Sequence, residues 1–178
     1  MKKIKTRILP ITQLGNPILR RSLKRVPRDR LAKLAPVIRD MIATMKKAQG
    51  VGIAANQVGI DQRLFIVAPQ PSVRYPRSPS WPPLAMVNPK LLRASSSEEI
   101  GWEGCLSIPG IRARVPRRRW VEVEFTTSDG EARRAKLSGF VARIFQHEFD
   151  HINGHVYLDR VRDPRTFMTE SEYRRLFR

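Results

Sequence analysis

The sequence predicts an α+β fold, a single compact domain over residues 1–178 in which short, mainly antiparallel strands surround a central helix with an H-E-x-x-H run. Three observations lead to this prediction. Apolar residues recur at helical spacing in two long segments. Other segments show short apolar runs or a two-residue alternation, which are typical of strands. A chain of 178 residues is also long enough to bury one core without disulfides.

The first predicted helix covers about residues 29–48, where apolar residues recur at helical spacing: Leu31, Leu34, Ile38, Met41, Ile42 and Met45. Pro36 lies inside this run, so it should either start the main helix or kink it. Apolar runs at residues 64–68 and 84–87 predict two short strands. Between them, residues 69–83 hold six prolines, which indicates an irregular surface loop.

The second half of the chain predicts a hairpin and two helices. Apolar and polar residues alternate over 121–126, the period of a half-buried strand, and Asp129-Gly130 then signals a hairpin turn. The H-E-x-x-H helix follows at about residues 139–153, and Gly154 ends it. Thr169 and Glu172 provide a capping box for a short C-terminal helix over about residues 169–178.

The H-E-x-x-H run consists of His147, Glu148 and His151. Residues four apart lie on one face of a helix, so both imidazoles can bind one cation while Glu148 projects beside it. Phe140 and Ile144 continue the same face at helical spacing, which predicts that the two imidazoles point inward. The sequence therefore predicts a buried metal site on this helix.

Cys105 is the only cysteine of the chain and stands in the segment EGCLSIPG. It cannot form an internal disulfide, which fits a reducing compartment and leaves the thiol free for chemistry. A thiolate with two imidazoles makes a three-ligand set that leaves a fourth tetrahedral position for water. We expect Glu103 to support this site or the structure around it, and not to bind the metal itself.

A zinc endopeptidase of the metzincin type is the alternative enzyme. That class needs H-E-x-x-H-x-x-G-x-x-H, in which glycine turns the chain towards a third histidine. Gly154 matches the glycine, but His155 follows it directly and position 157 is a tyrosine. The third ligand is therefore missing, and we expect His155 to be a solvent-side or structural residue.

Three segments in order along the chain carry a family resemblance: GVGIAANQVG at residues 50–59, GWEGCLSIPG at 101–110 and QHEFDHINGHVYLDR at 146–160. They resemble the three signature motifs of the peptide deformylase family, and GNPILR at residues 15–20 is similar to a weaker early segment. The resemblance covers about residues 10–165. It implies hydrolysis of the N-formyl group from the formyl-methionine of nascent polypeptides, with release of formate.

The resemblance also assigns roles to residues. It implies metal binding by Cys105, His147 and His151, proton transfer by Glu148, and stabilisation of the developing negative charge by the Gln57 amide and the backbone N–H of Leu106. It implies a peptide- and methionine-binding surface formed by Gly50, Val51, Gly52, Gly104, Arg112, Phe140 and Ile144. The ligand set suits Zn²⁺, whereas deformylases generally favour Fe²⁺, which Ni²⁺ or Co²⁺ often replaces in preparations. We expect one divalent ion per chain and Fe²⁺ in the cell.

The formal net charge is +18, which is large for a chain of this length. Five arginines follow the cysteine motif and three close the chain: Arg112, Arg114, Arg117, Arg118, Arg119, Arg174, Arg175 and Arg178. A solvated basic face accounts for this charge as well as phosphate contact does. If the surface has a partner, the family resemblance indicates ribosomal RNA. A nucleic-acid-binding protein is therefore the non-enzymatic alternative, although no motif for sequence-specific readout is present.

No stretch of the sequence approaches the length of a membrane span, and basic residues interrupt the N-terminus too early for a signal-peptide core. The first 28 residues contain nine Lys or Arg and no acidic residue, and residues 1–9 form a basic N-terminal end. This bias leaves organellar targeting open. However, serine is scarce there and the family-like GNPILR already begins at Gly15. We expect a cytoplasmic protein that is a monomer and has no membrane contact.

Overall fold

Two antiparallel sheets and three α-helices make up the computed structural model, which describes residues 6–71, 75, 76 and 78–177. The strands are β1 Gly52–Ala54, β2 Leu64–Val67, β3 Leu84–Ala94, β4 Glu98–Cys105, β5 Ile108–Arg118, β6 Trp120–Thr126, β7 Ala132–Ser138 and β8 Met168–Thr169. The helices are α1 Ala35–Lys47, α2 Gly139–Ile152 and α3 Glu170–Phe177. One sheet has the order β1-β2-β3-β6-β7 and the other the order β4-β5-β8. The predicted α+β fold class is confirmed.

The first predicted helix consists of two parts. A 3₁₀ segment, Arg28–Leu34, leads into α1, and Pro36 lies in the first turn of α1. A proline is tolerated there because the first helical N–H groups have no partner within the helix. Pro36 therefore starts the helix and does not kink it. Ile38, Met41 and Met45 are buried on the inner face of α1, as the spacing predicted.

The five-stranded sheet holds the main core. All four residues of β2 are buried, whereas β6 alternates between buried and half-buried residues, as predicted for residues 121–126. Strand β3 begins at the predicted Leu84 but continues to Ala94, well past the apolar run. The predicted turn joins β6 to β7, and Gly130 adopts a φ of 91° there, which favours glycine.

The β4–β5 hairpin was not predicted as a pair of strands. Its residues pair from Glu98 with Arg118 to Cys105 with Ile108, so the cysteine motif lies at the tip of the hairpin. Arginines, prolines and glycines interrupt the apolar pattern in this segment, which conceals the two-residue period. The hairpin places Cys105 at a fixed position facing α2.

Helix α2 packs against the five-stranded sheet, with Phe145 making an edge-to-face contact with Phe65 at a centroid distance of 5.4 Å. Gly154 follows the helix with a φ of 80°. A Cβ atom at this position would lie 2.7 Å from the carbonyl oxygen of Arg20. Both the backbone conformation and the close approach therefore require glycine, as the predicted helix end suggested.

The predicted C-terminal helix is present as α3, and the Glu172 N–H donates to Thr169 Oγ1 at 3.3 Å. Trp102 of β4 packs against Tyr173 and Phe177 of α3 at centroid distances of 5.4 and 5.6 Å. These contacts attach α3 to the three-stranded sheet. Within the described residues, none of the helices combines the length and apolar character needed to cross a bilayer.

The prediction of a basic surface patch is wrong for two of its arginines, which are buried. The side chains of Arg112 and Arg117 are only 1% and 5% exposed, so neither presents its charge to solvent. Arg112 pairs with Glu170 of α3, and Arg117 pairs with buried carboxylates beneath the hairpin. Their positions within a run of arginines suggested solvent exposure. However, an arginine can also be buried when it has ion-pair partners.

Candidate metal centre and active site

Helix α2 and the tip of the β4–β5 hairpin bring three potential metal ligands together. Cys105, His147 and His151 each offer one ligand atom, and these atoms all lie within 4.8 Å of one another. Cys105 Sγ is 3.2 Å from His151 Nε2. Cys105 and His151 are 2% and 0% exposed, and the His147 side chain is 11% exposed. The inward direction predicted for the two imidazoles is confirmed.

Glu103 fixes the orientation of His147. Its Oε2 lies 2.9 Å from His147 Nδ1, which leaves Nε2 of the ring as the atom available for a metal. A carboxylate on the far nitrogen of a ligand histidine sets its tautomer and strengthens it as a donor. Glu103 thus supports the site without being one of the three clustered ligands, as the sequence predicted.

Two arginines hold Glu103 in place. Arg117 donates to both carboxylate oxygens, Nε to Oε1 at 2.9 Å and Nη2 to Oε2 at 3.0 Å, and Arg143 Nη1 donates to Oε1 at 2.9 Å. Arg117 also donates to Asp150 Oδ2 at 2.6 Å. Burial raises the pKa of Glu103, but Arg117 and His147 outweigh it and hold that pKa well below its usual range. The carboxylate is therefore ionised behind the metal centre.

Cys105 favours the protonation state that binds a cation. Burial raises the pKa of the Cys105 thiol, but His151 and His147 outweigh it and hold that pKa well below its usual range. A thiolate with two imidazoles is a donor set for a divalent transition metal, and three protein ligands leave a coordination position free for water or substrate. The residues present therefore fit the metal that the sequence predicted.

Glu148 lies beside the trio and is 4% exposed. Its Oε2 has no hydrogen-bond partner among the described residues, so this oxygen can accept from a water or a substrate atom. Burial raises the pKa of Glu148 to about 7, against an opposing effect of His147 and His151. A carboxyl group with a pKa near neutrality is suited to both accepting and returning a proton.

Gln57 faces the centre from the 3₁₀ turn Ala55–Val58, which follows β1. Its Oε1 accepts from the Ala54 N–H at 2.8 Å, which fixes the orientation of the amide. Its Nε2 then donates towards Cys105 Sγ at 3.4 Å and Ser107 Oγ at 3.2 Å. The amide N–H groups therefore point towards the metal ligands.

A cavity lies beside the metal centre, with Cys105 and His147 among its lining residues. It is lined by all three catalytic residues predicted from the family resemblance and by six of the seven predicted binding residues: Gln57, Leu106, Glu148, Gly50, Val51, Gly52, Gly104, Phe140 and Ile144. Arg112 is the exception, because it lines a second cavity next to the first. The predicted solvent-side His155 is 50% exposed and lies near Asp159.

Sequence reasoning assigned no role at the metal site to Arg117 or Arg143, although both contact Glu103. Arg143 could have been noticed, because it precedes His147 by one helical turn on the same face of α2. Arg117 offered no such signal, since its neighbours Arg118 and Arg119 are exposed and the run resembles a solvated strand.

The fold and the site together define an α+β metal-dependent hydrolase of the H-E-x-x-H type with a Cys-His-His ligand set. Comparison with known proteins identifies the particular family. The polypeptide deformylase family model matches residues 8–167. Peptide deformylase 2 of Nostoc sp. is 50% identical over 169 residues, which cover 95% of this chain and 94% of that protein. Peptide deformylase 2 of Shewanella oneidensis is 42% identical, over 92% of this chain and 90% of that protein.

Solved structures agree with this result. A Met-Ala-Ser-bound class I type b peptide deformylase from Acinetobacter baumannii matches with a TM-score of 0.86 and 41% identity, over 88% of this chain and all (100%) of that one. A Synechococcus elongatus peptide deformylase in complex with actinonin matches with a TM-score of 0.80 and 38% identity, over 93% and 85% of the two chains. The chain belongs to the peptide deformylase family. It removes the N-formyl group from nascent peptides.

Proposed function

We propose that Cys105, His147 and His151 hold one divalent metal ion and that Glu148 is the general base and acid of the deformylation reaction. The observation that carries this proposal is the buried cluster of three ligand atoms within 4.8 Å, with an unpartnered oxygen of Glu148 beside it. When bound there, a divalent metal ion lowers the pKa of a coordinated water and polarises the formyl oxygen.

The protein residues perform the proton transfers. Glu148 takes a proton from the attacking water and returns it to the departing nitrogen, which yields formate and a free amine. Negative charge develops on the former carbonyl oxygen in the transition state. The Gln57 amide, already oriented by its bond to Ala54, and the backbone N–H of Leu106 stabilise that charge. Donors fixed before the reaction lower the barrier because they need no reorganisation.

The peptide binds as an added strand along β1. This strand lies at the edge of the five-stranded sheet and pairs with β2 on one side, so its outer side can accept a peptide backbone. Gly50 and Gly52 allow the close approach of that backbone, and Gly104 does so from the hairpin side. The Acinetobacter baumannii relative was crystallised with Met-Ala-Ser bound, which supports a peptide in this cleft.

Val51, Phe140 and Ile144 form the apolar walls of the pocket for the first methionine. All three line the cavity at the metal centre. Arg112 lies farther out, 1% exposed and paired with Glu170. Its role is to receive the polar backbone of the peptide beyond the first residue, at the edge of the second cavity.

The activity is tested with protein purified without oxygen and assayed for metal. We expect it to release one formate per formyl-Met-Ala hydrolysed and to leave the internal peptide bonds of casein intact. Casein cleavage without formate release would favour the metzincin alternative. Binding of nucleic acid without either hydrolysis would favour the non-enzymatic alternative.

Fe²⁺ is the metal in the cell. A thiolate and two imidazoles bind Fe²⁺, Zn²⁺, Ni²⁺ and Co²⁺, so the identity depends on supply as well as on the ligands. Metal analysis of the anaerobic protein should find one iron per chain, and air should inactivate it by oxidising that iron. Replacement by Ni²⁺ should then preserve activity in air. Zinc at one per chain in fully active anaerobic protein would contradict this assignment.

The basic surface docks the enzyme near emerging chains on the ribosome. With Arg112 and Arg117 buried, the candidates for RNA contact are Arg114, Arg118 and Arg119 and the arginines of α3. Arg174 and Arg175 pair with Glu170 and Glu172 but remain 44% and 66% exposed, and Arg178 lies outside the described residues. Reversing the three C-terminal arginines to Glu should weaken ribosome co-sedimentation and flatten its salt dependence, while hydrolysis of a free formyl dipeptide stays unchanged. Absence of binding at low salt would leave only a solvated basic face.

We further propose that the protein acts as a monomer in the cytoplasm. The reaction needs only residues of one chain, and the single buried cysteine suits a reducing compartment. Light scattering of the purified protein and fractionation of the source cells test these two points directly.

A further inference from the structure

Arg143 is a charged residue within the apolar side of the active-site cavity. It lies on α2 between Phe140 and Ile144, one turn before His147, and all four line the cavity. Phe140, Ile144 and His147 have proposed roles, namely the walls of the methionine pocket and a metal ligand. The fourth member of this face is a guanidinium, and the deformylation mechanism above does not use it.

The guanidinium of Arg143 is held rigidly. Nη2 donates to the Glu99 carbonyl at 2.7 Å, and Nη1 donates to the Val115 carbonyl and to Glu103 Oε1, both at 2.9 Å. The side chain is 12% exposed. A donor group that is fixed by such acceptors and largely shielded from water interacts strongly with a neighbouring polar group.

Gly101 makes this position possible. A Cβ atom on Gly101 would lie 2.8 Å from Nη2 and 2.9 Å from Cζ of Arg143, both closer than carbon and nitrogen atoms normally approach. The guanidinium therefore lies flat against the backbone of β4. Any larger residue at position 101 would push it out of place.

A guanidinium carries five N–H donors. No acceptor among the described residues contacts Nε of Arg143, so the group can still donate to a ligand in the cavity. The pocket thus combines apolar walls with one cationic donor. An acceptor within the first side chain of the peptide would be recognised there, and a positively charged one would be rejected.

We propose that Arg143 is a specificity-determining residue, whose guanidinium donates a hydrogen bond to an acceptor in the first side chain of the formylated peptide. This inference rests on the proposed function of the cavity. The thioether sulfur of methionine is a weak acceptor, whereas the oxygen of methionine sulfoxide is a strong one, and norleucine has the same length without an acceptor. The enzyme therefore also deformylates chains whose first methionine is oxidised to the sulfoxide.

The test compares kcat/KM for formyl-Met-Ala, formyl-Met-sulfoxide-Ala and formyl-norleucine-Ala. The ratio between two substrates of one preparation does not depend on the fraction of active, metal-loaded enzyme. We expect the unmodified protein to hydrolyse the sulfoxide at least as fast as the norleucine peptide. Arg143→Met, which keeps the length and removes the donors, should lower the sulfoxide-to-norleucine ratio about tenfold or more, as for loss of a charged hydrogen bond. Arg134→Met removes an arginine of β7 that is 75% exposed and does not line the cavity, and it should leave the ratio unchanged.

Gly101→Ala provides a second variant in case Arg143→Met does not fold, because it displaces the guanidinium and retains the charge. It should lower the same ratio. A sulfoxide peptide hydrolysed more slowly than the norleucine peptide by the unmodified protein would overturn the inference. So would an unchanged ratio in either soluble variant, and Arg143 would then only brace Glu103. No formate from any of the three peptides would overturn the proposed function itself.

Discussion

Replacing Gly52 by alanine should displace the carboxylate of Glu148 and lower the activity, without altering a metal ligand. An added Cβ would lie 2.9 Å from Glu148 Cδ and 2.9 Å from Ile144 Cγ2, and it would overlap Glu148 Oε1. Apolar contacts are optimal from about 3.5 Å, so the carboxylate has to retreat by roughly 0.6 Å or more. A misplacement of about 1 Å at a reacting group can cost about a hundredfold in rate. We therefore expect kcat/KM of Gly52→Ala to fall by about 30- to 100-fold.

The assay is formate release from formyl-Met-Ala, with metal content measured on the same sample. Gly50→Ala is the matched control, because its Cβ would meet the end of the flexible Leu106 side chain at 2.9 Å. That side chain can move aside, so the loss should stay below about tenfold. Full activity in Gly52→Ala, or a loss explained entirely by lost metal, would show that the added methyl group does not displace Glu148.

Three further predictions follow from contacts around the site and from one distant carboxylate. Glu103→Gln should weaken metal binding about 10- to 100-fold, because the amide cannot give His147 the same anionic partner, and equilibrium dialysis with Zn²⁺ would contradict this if affinity is unchanged. Gln57→Leu should lower kcat by about 100- to 1,000-fold with a modest change in KM, and an effect confined to KM would make it a binding residue. Hydrogen bonds from the Arg7 backbone and side chain, despite burial, hold the pKa of Asp40 below its ordinary 3.8. Its carboxylate therefore stabilises the fold above that pH, and this stabilisation is lost as pH falls through the folded-state pKa. In Asp40→Asn, the free energy of unfolding should therefore fall less steeply as the pH is lowered. Urea titrations at several pH values measure this, and an equally steep fall in both proteins would count against it.

The central helix and its ligands could be predicted because their signal is local. His147 and His151 lie one turn apart, and the apolar residues on the same face show which way that face points. On a helix, the spacing of residues in the sequence determines which side chains lie on the same face. Cys105 is distant in sequence, yet it was identifiable as the only cysteine and through its motif.

The residues that hold the metal ligands in place could not be predicted in the same way. Glu103 and Arg117 are neighbours only because β4 and β5 pair, and neither strand shows a clear alternation in the sequence. Within this hairpin Glu103 and Arg117 are buried together with Ala113 and Val115, so charged and apolar residues are buried alike. A charged residue inside a run of arginines indicates solvent exposure on average, and only the fold reveals that Arg117 is an exception.

The most direct test of the account is a paired measurement on Glu148→Ala, in which metal content and formate release are determined on one anaerobic sample. Because Glu148 acts on water and does not hold the ion, we predict one metal per chain, as in the unmodified protein, and a fall in turnover of several orders of magnitude, at or beyond the 100- to 10,000-fold that is typical for loss of a general base. Near-normal turnover with the metal retained would contradict its proposed role in proton transfer. Loss of the metal would contradict the assignment of Cys105, His147 and His151 as the complete ligand set.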